Sequence, residues 1–226
     1  MSLIADGGDS FGIDPTGSAS SYAWGFFFYV SSTDSRELTR PSGSGARLYI
    51  WDGVFNLYST AYFDIYTTLP AVIGNWYFVG YSVENDVNVT FFASLLGSNT
   101  VEYVTTTTGG AMGQEFIAFS NGHFGCIKHW RQALSNAQIQ QEATQIRCFA
   151  DPYIWIPMID YTSLAGQGRN LRGAGNSIGF TTGSISTLSP PIPLGVPLVP
   201  YAPQLVAPPP PPPYFASPLG MLMSNF

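Results

Sequence analysis

Charge is what this sequence has least of. Only 10% of its 226 residues are Asp, Glu, Lys or Arg, whereas a soluble domain usually has roughly 25%. Acidic residues outnumber basic ones by 14 to 8, the formal net charge is −6, and Lys128 is the only lysine. Proteins that bind DNA or RNA neutralise phosphates with clustered cations. The sequence therefore excludes a nucleic-acid binder of that kind.

Signals for export and for membrane insertion are also missing. Residues 1–6 have no basic region followed by a long apolar stretch, so no secretory signal is predicted. The longest strongly apolar run, residues 22–30, is far short of the ~20 residues needed to span a bilayer. Synthesis in the cytoplasm is expected. Because that compartment is reducing, Cys126 and Cys148 are expected to be free thiols that pack as small apolar groups.

Aromatic residues, by contrast, are abundant at 15%, which excludes an intrinsically disordered chain. Short strand-like segments alternate with turn residues, which predicts an all-β sandwich or barrel. Residues 22–30 are apolar on both alternating faces, as in a strand buried on both sides. Asp52-Gly53 between two such segments predicts a two-residue hairpin turn. The other expected strands are 47–51, 54–58, 62–66, 75–83, 87–94, 101–106, 115–119, 123–130, 153–159 and 177–182.

One short helix is predicted on the surface of the sandwich, over about residues 135–147. Ser135 and Gln138 form the pattern of a capping box, and Leu134 and Ile139 that of a hydrophobic staple. Ile139, Ala143 and Ile146 then repeat at helical spacing, which gives a single apolar stripe.

The C-terminal part of the sequence has a different composition. No charged residue or histidine follows Arg172, and 13 of the 18 prolines lie between Pro190 and Pro218. This divides the chain into a folded body, residues 1–189, and an extended polyproline-II arm, residues 190–226. The arm ends in apolar residues, which indicates docking on a partner. The candidate docking residues are Tyr201, Tyr214, Phe215, Leu219, Met221, Leu222, Met223 and Phe226.

Residues 122–139 carry a family resemblance. They contain a Gly-aromatic-x-Gly-x-Ile strand, an aromatic-Arg-x-Ala-Leu-Ser turn and the start of a short helix. This resembles the signature of the laminin-G-like, concanavalin-A-like jelly-roll family. Residues 75–79 are similar to the family's Trp-Tyr-x-Val strand, and residues 22–30 to its first long core strand. Residues 155–171 are similar to a segment that often adjoins these domains.

The resemblance covers roughly residues 20–185 and implies two antiparallel sheets packed face to face. Ser189-Pro190-Pro191, after a terminal strand, also resembles forms of this module in tailed-phage and metagenomic virion proteins.

Enzymatic chemistry finds little support. Glycosidases of this fold flank the glycosidic bond with two carboxylates, but the nearest pattern here, Glu84-Asn85-Asp86, is a predicted hairpin turn with Val89 at the third position. His123 and His129 are six residues apart on one predicted strand, so they should point to one face and Cys126 to the other. Nothing in the sequence suggests a nucleophile or an orienting acid beside them. No catalytic residue is predicted.

No cofactor is predicted either. Cys126 and Cys148 are too isolated for a zinc site. Some members of the family hold calcium at the rim of the sandwich, and Asp6, Asp9 and Asp14 could supply oxygen ligands. These acids lack the regular spacing of a dedicated calcium loop and are interpreted as solvated turn residues.

Aromatic residues on adjacent predicted strands could form a platform for sugars. Trp51, Tyr58, Tyr62 and Tyr66 are the candidates for glycan contact. The alternative is core packing, because a sandwich buries alternate residues of each strand and aromatic side chains dominate such cores.

The favoured hypothesis is a non-enzymatic structural component of a large assembly. It would be a phage virion surface protein, either a capsid decoration or tail-associated. Its sandwich would be displayed outward, and its arm anchored on neighbouring structural proteins, with self-association. The alternative is a free lectin-like module that recognises cell-surface glycans. A glycosidase is the least favoured of the three.

Overall fold

The structure is a computed structural model that describes residues 2–13, 19–41, 45–110, 112, 117–146, 148–157, 178–180 and 184–186. The predicted arm, residues 190–226, lies outside the described residues together with all of its candidate docking side chains, and so does Asp14. Residues 2–11 are described by their backbone alone, which includes Asp6 and Asp9.

The described residues form thirteen strands and one helix, α1 (Asn136–Glu142). Among them no helix has the length and apolar character needed to cross a membrane. The strands are β1 (Ser2–Ile13), β2 (Tyr22–Tyr29), β3 (Arg36–Pro41), β4 (Arg47–Trp51), β5 (Val54–Ser59), β6 (Phe63–Pro70), β7 (Trp76–Glu84), β8 (Asn88–Leu95), β9 (Glu102–Thr107), β10 (Ile117–Trp130), β11 (Ile154–Ile156), β12 (Ile178–Phe180) and β13 (Ser184–Ser186).

The strands build two antiparallel layers that meet at β10. The front sheet has the order β6-β5-β4-β3 and continues into the first half of β10. The back sheet has the order β9-β8-β7-β2 and continues into the second half of β10. β1 follows β10 around the same corner, with a register shift between Ala5 and Ser10. Bulged strands allow one strand to pass between two packed sheets. This is the jelly-roll sandwich that the sequence predicted.

The main core lies between the two sheets and is largely aromatic. Phe26 and Phe28 contact Phe124 with ring centroids 5.6 and 5.3 Å apart. Phe55 of the front sheet meets Tyr77 of the back sheet at 4.9 Å. Because buried aromatic side chains remove large apolar areas from water, they supply much of the stabilisation of such a core.

A second apolar cluster covers the outer face of the back sheet. There Ile139 of α1 packs with Phe27, Phe78 and Phe92. The back sheet is therefore covered on both sides, by the front sheet and by α1 with its following segment. This confirms the prediction that β2 is buried on both faces.

The helix begins as predicted but ends earlier. Ser135 Oγ accepts a hydrogen bond from the amide of Gln138, and the Gln138 side chain accepts one from the Ser135 amide, so the capping box is complete. The last helical residue is Glu142, whereas the sequence predicted a helix to about residue 147. The carbonyl groups of Glu142 and Gln145 accept hydrogen bonds from Lys128 Nζ, at 3.1 and 2.7 Å. Contacts with β10 thus replace the last helical turn.

β10 contains a bulge that the sequence prediction missed. Gly125 and Cys126 share one partner on β2, and the additional residue reverses the alternation of side chains along the strand. His123 lies on the outer side of the back sheet. His129 packs beside Trp24 in the main core. The prediction that both histidines point to one face was therefore wrong.

Candidate functional site

The outer face of the front sheet carries polar and aromatic side chains on three adjacent strands. The register places Tyr49 of β4, Asn56 of β5 and Tyr66 of β6 in one row. Because Leu48, Ile50, Phe55 and Leu57 belong to the main core, their neighbours along each strand point outward. A second row contains Arg47, Tyr58 and Asp64. We call Tyr49, Asn56, Tyr58, Asp64 and Tyr66 the tyrosine face.

The centre of the tyrosine face is a hydrogen-bond network on Asp64. Asn56 Nδ2 donates to Asp64 Oδ1 at 2.6 Å and to the carbonyl of Ile65 at 3.0 Å. Tyr66 Oη donates to Asp64 Oδ2 at 2.9 Å. This hydrogen bond, with smaller contributions from burial and from the carboxylate charge, raises the pKa of Tyr66, so the phenol remains a donor. Since Tyr66 and Asp64 point to the same side of one strand, the bond holds the ring along the strand.

The network leaves polar and aromatic surface available to a ligand. Tyr66 is 42% exposed, although its hydroxyl group is already bonded. Asn56 is only 4% exposed and acts through its hydrogen bond to the exposed carboxylate of Asp64. An exposed ring beside fixed oxygen acceptors is a suitable surface for a ligand that has both apolar faces and hydroxyl groups.

Further contacts extend the face across β4 and β3. The rings of Tyr49 and Tyr58 meet edge to face, with centroids 6.3 Å apart. Glu37 pairs with Tyr49 in the register and binds Arg40 through two hydrogen bonds of 2.9 and 2.6 Å. In this bidentate ion pair the positive and negative charges largely cancel, so the pair adds little net charge to the face.

An acidic residue from the back sheet fixes the end of β6. The carboxylate of Glu102 on β9 accepts hydrogen bonds from the amides of Thr68 and Leu69, at 2.5 and 2.8 Å. These residues follow Tyr66 at the point where the β5–β6 register shifts. Glu102 therefore closes the edge of the sandwich and holds the strand that carries Tyr66 and Asp64.

The structure brings together three of the four aromatic residues that the sequence selected. Trp51, Tyr58 and Tyr66 lie on the outer side of the front sheet, and Trp51 is 53% exposed. Tyr62 instead lies in the turn before β6 and packs against the main core. The position of Tyr62 therefore agrees with the alternative interpretation, in which the aromatic residue packs against the core.

Sequence reasoning missed Tyr49, Asn56 and Asp64. A signal was present, because Tyr49 alternates with core residues along β4 as Tyr58 does along β5. What could not be seen was the register that puts Asn56 between Tyr49 and Tyr66. Register depends on the turns and on the bulge in β6, which the side-chain pattern does not specify.

The residues considered for catalysis occupy structural positions. His129 lies 4.3 Å from the ring of Trp24, and burial, with a smaller effect of Arg131, lowers its pKa to about 3. Such a group is poorly suited to acid–base catalysis near neutral pH. Asn85 and Asp86 form the turn between β7 and β8, with φ angles of 52° and 60°. Val87 completes this turn, because its amide donates to the Glu84 carbonyl at 3.1 Å and strand pairing resumes at Glu84 and Asn88. Positive φ angles at both central residues are typical of a hairpin turn.

The thiols and acids do not assemble into a metal centre in the part of the chain that the structure describes. There, no group of three or more His, Cys, Asp or Glu side chains is placed to hold a metal ion. Cys126 and Cys148 are not joined in a disulfide. Burial raises the pKa of Cys126 to about 12, so this sulfur stays protonated and unreactive.

Comparison with known proteins identifies the fold. No protein-family model and no curated protein matches this chain. It is similar to the structure of a native heptameric SAP-like pentraxin from Limulus polyphemus, with a TM-score of 0.51 and 13% identity over 66% of this chain and 84% of that one.

A second similar structure is a candidate carbohydrate-binding protein from Bacteroides ovatus, with a TM-score of 0.60 and 12% identity. The match covers 84% of this chain and 60% of the Bacteroides protein, so this chain spans about three fifths of that protein's length. At such identities the likeness shows the fold alone. It supports the laminin-G-like jelly-roll fold that the resemblance implied.

Proposed function

We propose that this chain is a non-enzymatic, lectin-like module that binds glycans on the tyrosine face. The observation that carries the proposal is the exposed ring of Tyr66 held beside the exposed carboxylate of Asp64, which Asn56 orients. A sugar ring presents C–H groups on its faces and hydroxyl donors on its rim. Aromatic rings pack on the former, while carboxylate and amide oxygens accept from the latter.

Preorganisation favours this use of the surface. Asp64 is already oriented by Asn56 and Tyr66, and β6 is fixed by Glu102. A ligand that binds there does not have to order these side chains, so little of the binding free energy is lost to entropy. The similar Bacteroides ovatus protein, described as a candidate carbohydrate-binding protein, is consistent with the proposal.

A matched pair of variants tests the site. Tyr66→Ala should weaken binding of any glycan identified on an array by at least about tenfold, which corresponds to ~1.4 kcal/mol, because the ring is removed and Asp64 loses a donor. Affinity is measured by isothermal titration calorimetry of the full chain. Phe149→Ala removes another exposed aromatic residue that lies outside the face, and it should leave the affinity unchanged. Equal losses in both variants would contradict the site.

A second candidate function rests on the sequence of the C-terminal region. The 54 residues after Arg172 contain no charge, and a free soluble protein rarely leaves so much apolar chain exposed to water. We propose that the arm anchors the sandwich on neighbouring subunits of a large assembly, such as a phage virion surface. The sandwich would then present its glycan-binding face outward.

Deletion of residues 190–226 tests the anchoring role. If the arm anchors the protein, the truncated chain should no longer co-purify with particles that incorporate the full chain, whereas its glycan affinity should be retained. Incorporation of the truncated chain at the normal level would rule out the arm as the anchor.

A further inference from the structure

We infer that the tyrosine face takes a linear, uncharged oligosaccharide that lies across β4, β5 and β6, and not a single sugar or an acidic glycan. The inference rests on the proposed function and adds the class of ligand. It follows from the spacing, the acceptor groups and the charges of the face.

The spacing sets a minimum length. Tyr49 and Tyr66 occupy one row and are separated by β5. Neighbouring strands lie ~4.8 Å apart, so the two backbone positions are ~10 Å apart. That distance is comparable to the length of a disaccharide and exceeds the width of one sugar ring. A monosaccharide on Tyr66 therefore cannot also pack on Tyr49, whereas a chain that crosses the strands can contact both.

The main acceptor lies beside Tyr66, on the same strand. Asn56 lies between Tyr49 and Tyr66 in the row, is buried, and donates through Nδ2 to Asp64 and to the carbonyl of Ile65. Asp64, which is exposed, is an acceptor on both carboxylate oxygens. A chain that crosses the strands could therefore direct hydroxyl donors to the Asp64 carboxylate, while its ring faces contact Tyr49 and Tyr66.

The charges select against acidic sugars. Glu37 and Arg40 neutralise each other. Arg47 and Asp64 lie in one row on either side of Tyr58, so the face as a whole has no excess positive charge. Recognition of sulfate or uronate groups needs cationic donors, preferably paired arginines. A carboxylate or sulfate placed on Tyr66 would meet Asp64 at close range and be repelled.

A length series tests the inference on the full chain. The probes are neutral oligomers of glucose, mannose, galactose and N-acetylglucosamine, each of one to six units, with oligogalacturonates and heparin oligosaccharides of the same lengths. In at least one neutral series, affinity should rise at least tenfold between one and three units and then level off. Tyr49→Ala should remove most of that rise, whereas Phe149→Ala, outside the face, should leave the whole series unchanged. The acidic series should bind at least tenfold more weakly.

The outcomes separate the inference from the function on which it rests. Glycan binding that requires Tyr66 but does not depend on chain length, or that prefers the acidic series and weakens steeply with salt, would overturn the inference and leave the proposed function intact. Absence of binding to every probe and to a broader glycan array would overturn both. The conservative variant Tyr49→Phe keeps the aromatic ring and should preserve the rise in affinity with chain length. It therefore controls for a general effect of altering β4.

Discussion

Replacing Lys128 with methionine is expected to lower the free energy of unfolding by about 3–5 kcal/mol. Lys128 is fully buried under α1, where Nζ donates to Glu142 Oε2 at 2.8 Å and to the carbonyls of Glu142 and Gln145. The other oxygen of Glu142 accepts hydrogen bonds from the amides of Phe149 and Ala150, at 2.7 and 2.8 Å. Without the ammonium group, a buried carboxylate and two carbonyls lose their partner.

The rings beneath this ion pair add to the effect. Lys128 Nζ lies 5.7 Å from the ring centroid of Phe27 and 5.6 Å from that of Phe78, within cation–π distance. Burial on its own would lower the pKa of Lys128, but the electrostatic interactions with Cys148 and with the Glu142 carboxylate, together with the hydrogen bond to Glu142, raise it above the ordinary value of 10.5. The ammonium form is therefore retained, and the pair connects β10 to the end of α1.

Chemical denaturation of matched variants measures the loss. The control is Arg40→Met, which breaks an ion pair whose arginine is largely exposed and should cost less than about 1 kcal/mol. The double variant Lys128→Met/Glu142→Gln should be more stable than the sum of the two single losses predicts, because removal of both charges leaves no unpaired ion. A Lys128→Met loss as small as that of Arg40→Met would show that the buried pair does not stabilise the fold.

The sequence was a good guide wherever a local pattern determines the structure. The Asp52-Gly53 turn, the capping box at Ser135 and the two-sided burial of β2 each follow from a few neighbouring residues, and the structure confirms all three. The described residues of the expected segments 115–119 and 123–130 are parts of the single strand β10. They form one strand because β1 pairs with β10 along one edge and β3 and β2 pair with it along the other. These pairings are not visible in the local sequence.

The remainder depends on contacts between distant residues. β1 was not expected because Gly7 and Gly8 resemble a turn, yet β10 provides partners on either side of that segment. β3 was missed because its charged residues obscure the apolar alternation that is typical of a strand, although Leu38 is buried in the core. Tyr58 and Tyr66 could be selected for the site from composition and strand spacing. Asn56 could not be selected in this way, because it belongs to the candidate site only through the strand register that places it next to Tyr49 and Tyr66.

Replacing Gly80 with alanine should destabilise the sandwich at its most crowded backbone contact. Gly80 of β7 pairs with Gly25 of β2, and a Cβ atom on Gly80 would lie 2.0 Å from the carbonyl oxygen of Trp24 and 2.8 Å from Gly25 Cα. Both are backbone atoms of a central strand, so the two strands would have to separate, and a rotated side chain cannot relieve the clash. Overpacking typically costs 1–3 kcal/mol, and we expect a loss of about 3 kcal/mol or more because the backbone itself must move.

The matched control for this variant is Gly109→Ala. A Cβ atom at Gly109 would meet nothing within 4 Å, and its φ angle is not in the left-handed region, so stability should change by no more than about 0.5 kcal/mol. Thermal and denaturant unfolding of both variants are compared, and soluble yield is recorded if Gly80→Ala fails to fold. Since β2 and β7 form the centre of the back sheet, separation of these strands would also loosen the aromatic core between the sheets. Equal stability of Gly80→Ala and Gly109→Ala would contradict this explanation, because it would show that the close approach of β2 and β7 does not require glycine at residue 80.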